Sequence, residues 1–347
     1  MVRHLIVSAV ALTLVLQEAP HAQSGVVIFD QFEYVVDRED PSAVALFTTQ
    51  GWSYAKTEQV TNGAHGWLYT TTTVPGYSGQ FPGLDSTRVL ALEARPRAFD
   101  PIMIGDPPVP VWQTDFFLQL GGNSAEYDNY IPGDAWLQFW MYPAHTGGVT
   151  STFDGRSKFF YACNGDYPCH SHKWMVMSTS ATNNPENMTP LGDPSQGEFF
   201  WLLQKSAGVS QITNLTADPY SQSAIGSPYP TDWMRPNRWT LVKMHFDTTH
   251  TTGNSWEVWL RPQGGVWSKQ SEWIGNVTPG FTWDVPAEHV GGHRVLRFPT
   301  TVGWDYWLYL DDFVIARAES DLLQYDDGGT GPTLPPSLAT ALHLLRR

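Results

Sequence analysis

An all-β fold of antiparallel sheets is what this sequence predicts, and three observations carry the prediction. Composition is the first: 16 Trp, 14 Tyr and 17 Phe accompany 30 Gly and 26 Pro in 347 residues, a mix that suits pleated, half-buried strands separated by frequent turns. Period-two alternation is the second. Within Trp239–Phe246, Thr240, Val242, Met244 and Phe246 share one face, while Trp239, Leu241, Lys243 and His245 share the other. Within Ala135–Tyr142, Trp136, Gln138, Trp140 and Tyr142 oppose Leu137, Phe139 and Met141. The third is the lack of long helical patterns, with only Pro41–Phe47 reading as a short helical turn.

In chain order, strands are expected at Val26–Phe29, Arg88–Ala94, Asp115–Leu120, Ala135–Tyr142 and Lys158–Cys163. They continue at Trp174–Ser178, Phe199–Lys205, Trp239–Phe246, Ser255–Arg261 and Tyr306–Ala316. Clusters of Gly, Pro, Asn and Asp separate them, as turns between antiparallel strands require. Two sheets packed face to face are the simplest way to bury so many apolar runs.

Residues 1–22 have the pattern of a signal peptide: Arg3 gives a basic start, Leu5–Leu16 an apolar run, and Ala22 a small residue for cleavage. That run is short for a membrane span, which needs about 20 residues. No other stretch is long and apolar enough, so a soluble mature chain, secreted or periplasmic, is expected. Residues 23–325 read as one β-sandwich domain. Asp326–Pro336 (DDGGTGPTLPP) reads as a linker, and residues 337–347 as a short tail.

The formal charge of −14 argues against nucleic acid and anionic lipid as partners. It also counts against a polyanionic substrate unless a local basic groove overrides the net sign. Cys163 and Cys169 fit a disulfide that pins a hairpin loop in an oxidising compartment. Together with His170 and His172 they also present soft ligands at a spacing that zinc accepts. Neither a Gly-x-Ser-x-Gly elbow nor a phosphate-binding glycine loop is present.

Two segments carry a family resemblance: Asn237–Pro262 (NRWTLVKMHFDTTHTTGNSWEVWLRP) and Tyr306–Ala316 (YWLYLDDFVIA). Their order resembles the concanavalin A-like lectin/glucanase superfamily, which includes laminarin-type glucanases, alginate and heparin lyases and non-catalytic lectin modules. The resemblance implies a two-sheet antiparallel jelly-roll sandwich whose concave sheet receives a polysaccharide or other glycan. The Glu-x-Asp-x-x-Glu strand of the glucanases is absent, so their retaining chemistry is not expected. Lys158, in DGRSKFFYACN after WLQFWMYP, resembles the strand–loop–Lys order of an alginate/glucuronan lyase group. β-Elimination on a uronate needs a group that neutralises the carboxylate, a base for the C5 proton and an acid for the leaving oxygen. The resemblance gives Lys158 the first role; for the last, Tyr142, Tyr161, His170 or His172 would have to replace a tyrosine that the resemblance does not match. Where that group has Tyr-x-Tyr, this chain has Phe199-Phe200-Trp201, without a hydroxyl.

Trp136, Gln138 and Trp140, with Arg88, are the substrate-binding candidates, because sugar rings pair aromatic platforms with short polar groups. The alternative is that these aromatics pack under loops, with Gln138 satisfied by backbone groups. His170 would then stand at the rim of the site. Adjacent strand residues point to opposite faces, so one of Asp311 and Asp312 should be buried and need a partner. In jelly-roll glycan-binding modules an aspartate at this terminal position helps hold a structural calcium, and Asp30 and Glu33 would complete such a site with Asp312. A hydrogen-bonded Asp312 without an ion is the other reading. Function stands between a secreted carbohydrate-active protein, a polysaccharide lyase in its sharpest form, and a lectin-like or structural extracellular protein.

Overall fold

Strands with one apolar face need a second layer to cover it, and the chain supplies two sheets that cover each other. The computed structural model describes residues 25–38, 42–52, 54–56, 65–95, 102–104, 109–111, 117–121, 131–144, 157–164, 172–179, 198–207, 211–214, 237–247, 249–250, 255–274, 292–293, 295–298, 306–325, 332–336 and 339. The expected signal peptide at 1–22 lies outside these residues, as do Cys169 and His170 and hence the expected disulfide. No helix among the described residues is long and apolar enough to cross a membrane.

The chain opens with β1 (Val26–Asp30), α1 (Ala43–Thr49), β2 (Tyr54–Lys56), β3 (His65–Thr71) and β4 (Val89–Arg95). Next come β5 (Ile102–Ile104), β6 (Val109–Val111), β7 (Phe117–Gly121), β8 (Ile131–Pro132) and β9 (Asp134–Ala144). Four strands follow: β10 (Ser157–Asn164), β11 (His172–Thr179), β12 (Glu198–Ala207) and β13 (Gln211–Asn214). Then β14 (Thr240–Asp247), β15 (Ser255–Pro262), β16 (Ser268–Ile274), β17 (Gly292–His293) and β18 (Val295–Phe298) lead to β19 (Tyr306–Ala316), β20 (Gln324–Tyr325) and β21 (Pro332–Thr333).

An eight-stranded sheet runs β16-β15-β14-β9-β19-β4-β3, with β1 added alongside β19, and a seven-stranded sheet runs β13-β12-β11-β10-β18-β7-β2. The ladders are antiparallel. The path leaves the first sheet after β9, returns at β14, leaves again for β18 and comes back at β19. This all-β jelly-roll sandwich is the fold that the alternation predicted. The helical turn expected at Pro41–Phe47 appears as α1, shifted by two residues.

One face of the eight-stranded sheet is largely apolar: Leu137, Phe139, Met141, Val242, Met244, Leu308 and Leu310 are all buried, with Thr240 a buried polar residue among them. Each such side chain contributes roughly 1.5–3 kcal/mol on burial. At one end α1 and the residues after it plug the core. Fully buried Trp52 lies 5.0 Å from Phe313 and 6.2 Å from Phe32, ring centre to ring centre.

The long central strand β19 is kinked by a bulge. Asp311 pairs with Trp140 but Val314 pairs with Gln138, so β19 carries one residue more than β9 across this step. Asp312 sits there at φ 48°. Upstream of the bulge β19 pairs with β4, and downstream with β1. The expectation that one of the two aspartates is buried is corrected here: the bulge breaks the alternation, and both are fully buried. Gly83 N donates to Asp311 Oδ2 at 3.2 Å and Leu84 N to Asp312 Oδ2 at 2.5 Å. Asp312 N in turn donates to Asp311 Oδ1 at 2.9 Å, which pins that carboxylate in place.

A Cβ on residue 83 would overlap the pinned Asp311 carboxylate. Gly83→Ala is therefore expected to cost about 2–4 kcal/mol, in the range of overpacked cores and broken buried networks. Thermal unfolding of the variant checks this; an unchanged melting temperature would mean that the 83–86 turn yields freely.

Candidate functional site

The seven-stranded sheet brings together residues far apart in sequence. Across one row of its ladders Tyr54 pairs with Gln119, Gln119 with Arg297, Arg297 with Tyr161 and Tyr161 with Met175. Residues directly opposite on antiparallel strands share a face, about 5 Å apart. The alternate rows contain Leu118 with Phe298, and Leu120 with Leu296, Ala162 and Trp174. Leu118 is fully buried, which makes its row the core side and the Tyr161 row the outer side.

Lys158 and Tyr161 are three apart, a spacing that puts residues of a regular strand on opposite faces. A bulge in β10 changes this. Lys158 pairs with Met177 and Tyr161 with Met175, two positions on β11 facing three steps on β10. Both residues consequently belong to the outer side, together with Arg297 and Gln119. Lys56 and Lys173 belong to the same side by their pairing with Phe117 and Cys163, and Glu198, level with Thr179 at one strand end, is the acidic residue there. Among the described residues, four Lys and Arg stand on this side against one Glu, in a chain with 34 Asp and Glu and 20 Lys and Arg. His172, paired with Asn164 and Lys205, belongs to the opposite register set from Tyr161. Phe200 and Leu202 stand level with Met177 and Met175, so no hydroxyl of β12 enters the rows of Lys158 and Tyr161.

The remaining candidates lie on the eight-stranded sheet. Trp136, Gln138, Trp140 and Tyr142 share its outer side, but the last three are only 2%, 4% and 1% exposed. They do not form an open platform. Residues 317–325 cross over Gln138 and Trp140: Gln138 Nε2 donates to Leu323 O at 3.1 Å, and Tyr325 stands edge-on to Trp140 at 5.3 Å. Arg261 Nη1 holds the same segment through Tyr325 O at 2.5 Å. The loop at 74–83 covers Tyr142. Half-exposed Trp136 stacks on His245 at 4.3 Å, and Trp259 lies 5.7 Å away. Asp134 and Glu257 flank the two ring nitrogens of His245 at 2.9 and 3.1 Å. Burial works against the Glu257 carboxylate, yet hydrogen bonds from Lys269 and His245 hold it below the usual range. Arg88 lies beside β4, donating Nη1 to Thr70 O at 3.3 Å, on the other sheet from Lys158.

The expected calcium ligands are occupied by protein donors. Asp30 accepts from Phe32 N, Tyr34 Oη and Trp52 Nε1 at 2.7–2.9 Å. Glu33 accepts from Thr87 N, Thr87 Oγ1 and Arg88 N at 2.5–3.0 Å. Asp312 accepts from Tyr325 Oη at 2.6 Å as well as from Leu84. Among the described residues no three carboxylate, imidazole or thiol groups gather closely enough to hold a metal ion. Asp312 Oδ1 is buried and finds no hydrogen-bond partner among the described residues. Burial pushes Asp30 up to about 6 and Asp312 up to about 6, and it raises Asp311 well above the usual range with help from the Asp312 charge beside it.

No protein-family model matches the chain, and no curated protein is similar to it. Among solved structures, it is similar to an endo-β-1,4-glucuronan lyase from the fungus Trichoderma reesei, with 9% identity, 78% of this chain and 93% of that one covered, and a TM-score of 0.42. A marine alginate lyase from Aplysia kurodai gives 13% identity over 72% and 88% of the two chains, with a TM-score of 0.35. The lectin UEA-II complexed with galactose gives 12% identity over 76% and 97%, with a TM-score of 0.25. These likenesses are remote, and the site is argued from this chain's own residues.

The raised carboxylates set a direction for stability. An acid whose folded pKa lies above its unfolded value binds its proton more tightly when folded. Its contribution is therefore greatest near pH 4 and is lost as pH rises from about 4 to about 6 for Asp30 and Asp312. Each shift of about two units corresponds to roughly 3 kcal/mol. The melting temperature should fall between pH 5 and pH 7.5; a rise over that interval would contradict the buried, raised state of these groups.

Proposed function

We propose that this chain is an exported carbohydrate-active protein that takes a polyuronate along the outer side of the seven-stranded sheet and cleaves it by β-elimination. The observation that carries the reading is the β10 bulge, which sets Lys158 and Tyr161 on the same basic side as Arg297 and Gln119. An acidic protein that keeps one sheet face basic fits a polyanion there and repels it elsewhere.

In this reading Arg297 and Gln119 hold the uronate carboxylate, and Lys158 adds positive charge where the dianionic intermediate develops. Tyr161, as its phenolate, takes the C5 proton. The electron pair of the C5–H bond becomes the C4–C5 double bond as the C4–O4 bond breaks. Tyr161 returns the proton to the departing O4, which balances the reaction without water or an oxidant. Arg297 and Gln119 escaped the sequence reading because they sit on strands distant from Lys158.

One observation favours a second reading, a non-catalytic glycan-binding protein: Phe200 and Leu202 stand where a hydroxyl pair would help the elimination.

The test incubates the purified protein with alginate, glucuronan and heparin, following the ultraviolet absorbance of the unsaturated product. Product from at least one polymer is expected, with Tyr161→Phe and Arg297→Ala each lowering the rate by about 100-fold or more. No product at several pH values, with and without calcium, would leave the binding reading, identified by polyuronate retention that Arg297→Ala abolishes. Export is tested separately: the N-terminus of the secreted product should follow Ala22.

A further inference from the structure

The outer side of the eight-stranded sheet holds an aromatic cluster that the polyuronate reading does not use. Tyr142 and Trp239 lie 5.3 Å apart between ring centres and are 1% and 0% exposed. Their cover is thin. Within the loop at 74–83, Pro75, Gly76, Ser78, Gly79 and Gln80 are exposed, and the half-buried rings of Tyr77 and Phe81 make the contact. These two rings stack on each other at 6.2 Å. Tyr77 lies 5.7 Å from Tyr142 and 6.1 Å from Trp239, and Phe81 lies 6.1 Å from Trp239. Beneath them Tyr142 Oη and Trp239 Nε1 are buried and find no hydrogen-bond partner among the described residues. Each unmade bond to a buried donor is unfavourable, and native structures leave few of them.

We infer that Trp239 and Tyr142 form a second sugar site, specific for a neutral glycan and closed by the loop at 74–83. The chemistry of the cluster selects the ligand. It offers two donors without partners among the described residues, an indole N–H and a phenol O–H, set in aromatic walls. A neutral sugar supplies hydroxyl and ring-oxygen acceptors on its rim and C–H groups on its face, which match these donors and rings without bringing a charge into an apolar cluster. The Tyr77 and Phe81 rings lie against Trp239, and Tyr77 also against Tyr142, so a sugar reaching both would have to displace them. The loop has the means to lift: Gly76 lies at φ 76°, and the Tyr77 hydroxyl is tied to Gln80 O at 2.6 Å, within the loop, and to Gln263 at 3.2 Å.

Titration of the full chain with cellohexaose and with laminarihexaose, read by tryptophan fluorescence and calorimetry, tests the site. Weak binding of at least one is expected in the wild type. Tyr77→Ala should tighten it about tenfold, because the cover no longer has to be displaced. Adding Tyr142→Phe should weaken it about fivefold at unchanged melting temperature. Absence of binding in both wild type and Tyr77→Ala overturns the inference, as does binding indifferent to Tyr142→Phe. So does a structure of Tyr77→Ala soaked in either hexaose that shows only water on Trp239 Nε1 and Tyr142 Oη. If Tyr77→Ala does not fold, hydrogen exchange on the wild type decides: hexaose should speed exchange of the amides at 76–81, and no change overturns the inference. Arg297→Ala leaves hexaose binding intact while removing polyuronate binding, so the two sites fail separately.

Discussion

Two adjacent carboxylates buried at a bulge are the constraint around which the eight-stranded sheet is arranged. Asp311 and Asp312 cannot ionise cheaply in the interior, and each needs donors. The donors come from the backbone of Gly83 and Leu84, from the Tyr325 hydroxyl and from the Asp312 amide itself. Two parts of the chain are thereby tied to the kink in the central strand. The turn at 83–86 arrives with its loop over Tyr142 and Trp239. The segment at 317–325 is drawn across Gln138 and Trp140. Loss of either tie would uncover a face that the rest of the sheet has no other means to bury.

Bulges thus do the positioning in both sheets, with different consequences. In β19 the extra residue folds two acids inward and closes a face. In β10 the extra residue brings Lys158 round to the side of Tyr161 and equips a face. The outcome is a sandwich with two unlike outer sides, one basic by register and one aromatic and covered.

Much of the fold was legible because alternation reports directly on half-buried strands. Tyr306–Ala316 was read to the residue, and the other expected strands lie within a few residues of their observed ends. β16 (SKQSEWI) was missed because its polar residues mask the pattern, and β3 because Gly66 and a Thr-rich end resemble a turn. The site was less legible. A three-residue spacing cannot announce that a bulge will place Lys158 and Tyr161 on one side. Arg297 and Gln119 join them only through ladders of strands distant in sequence; the sole local signal was the alternation around Arg297 in VLRF. Trp140 and Tyr142 looked open because the segments that cover them come from elsewhere in the chain.

The central place of β19 also bears on how the molecule is made. Synthesis runs from the N-terminus, yet this strand lies near the far end of the chain and pairs with β9, β4 and β1. Until it emerges from the ribosome those three strands lack their shared neighbour, and its pairings with them span long stretches of chain. Such non-local closure is slow. A nascent chain of this design can complete its eight-stranded sheet only once β19 has been made.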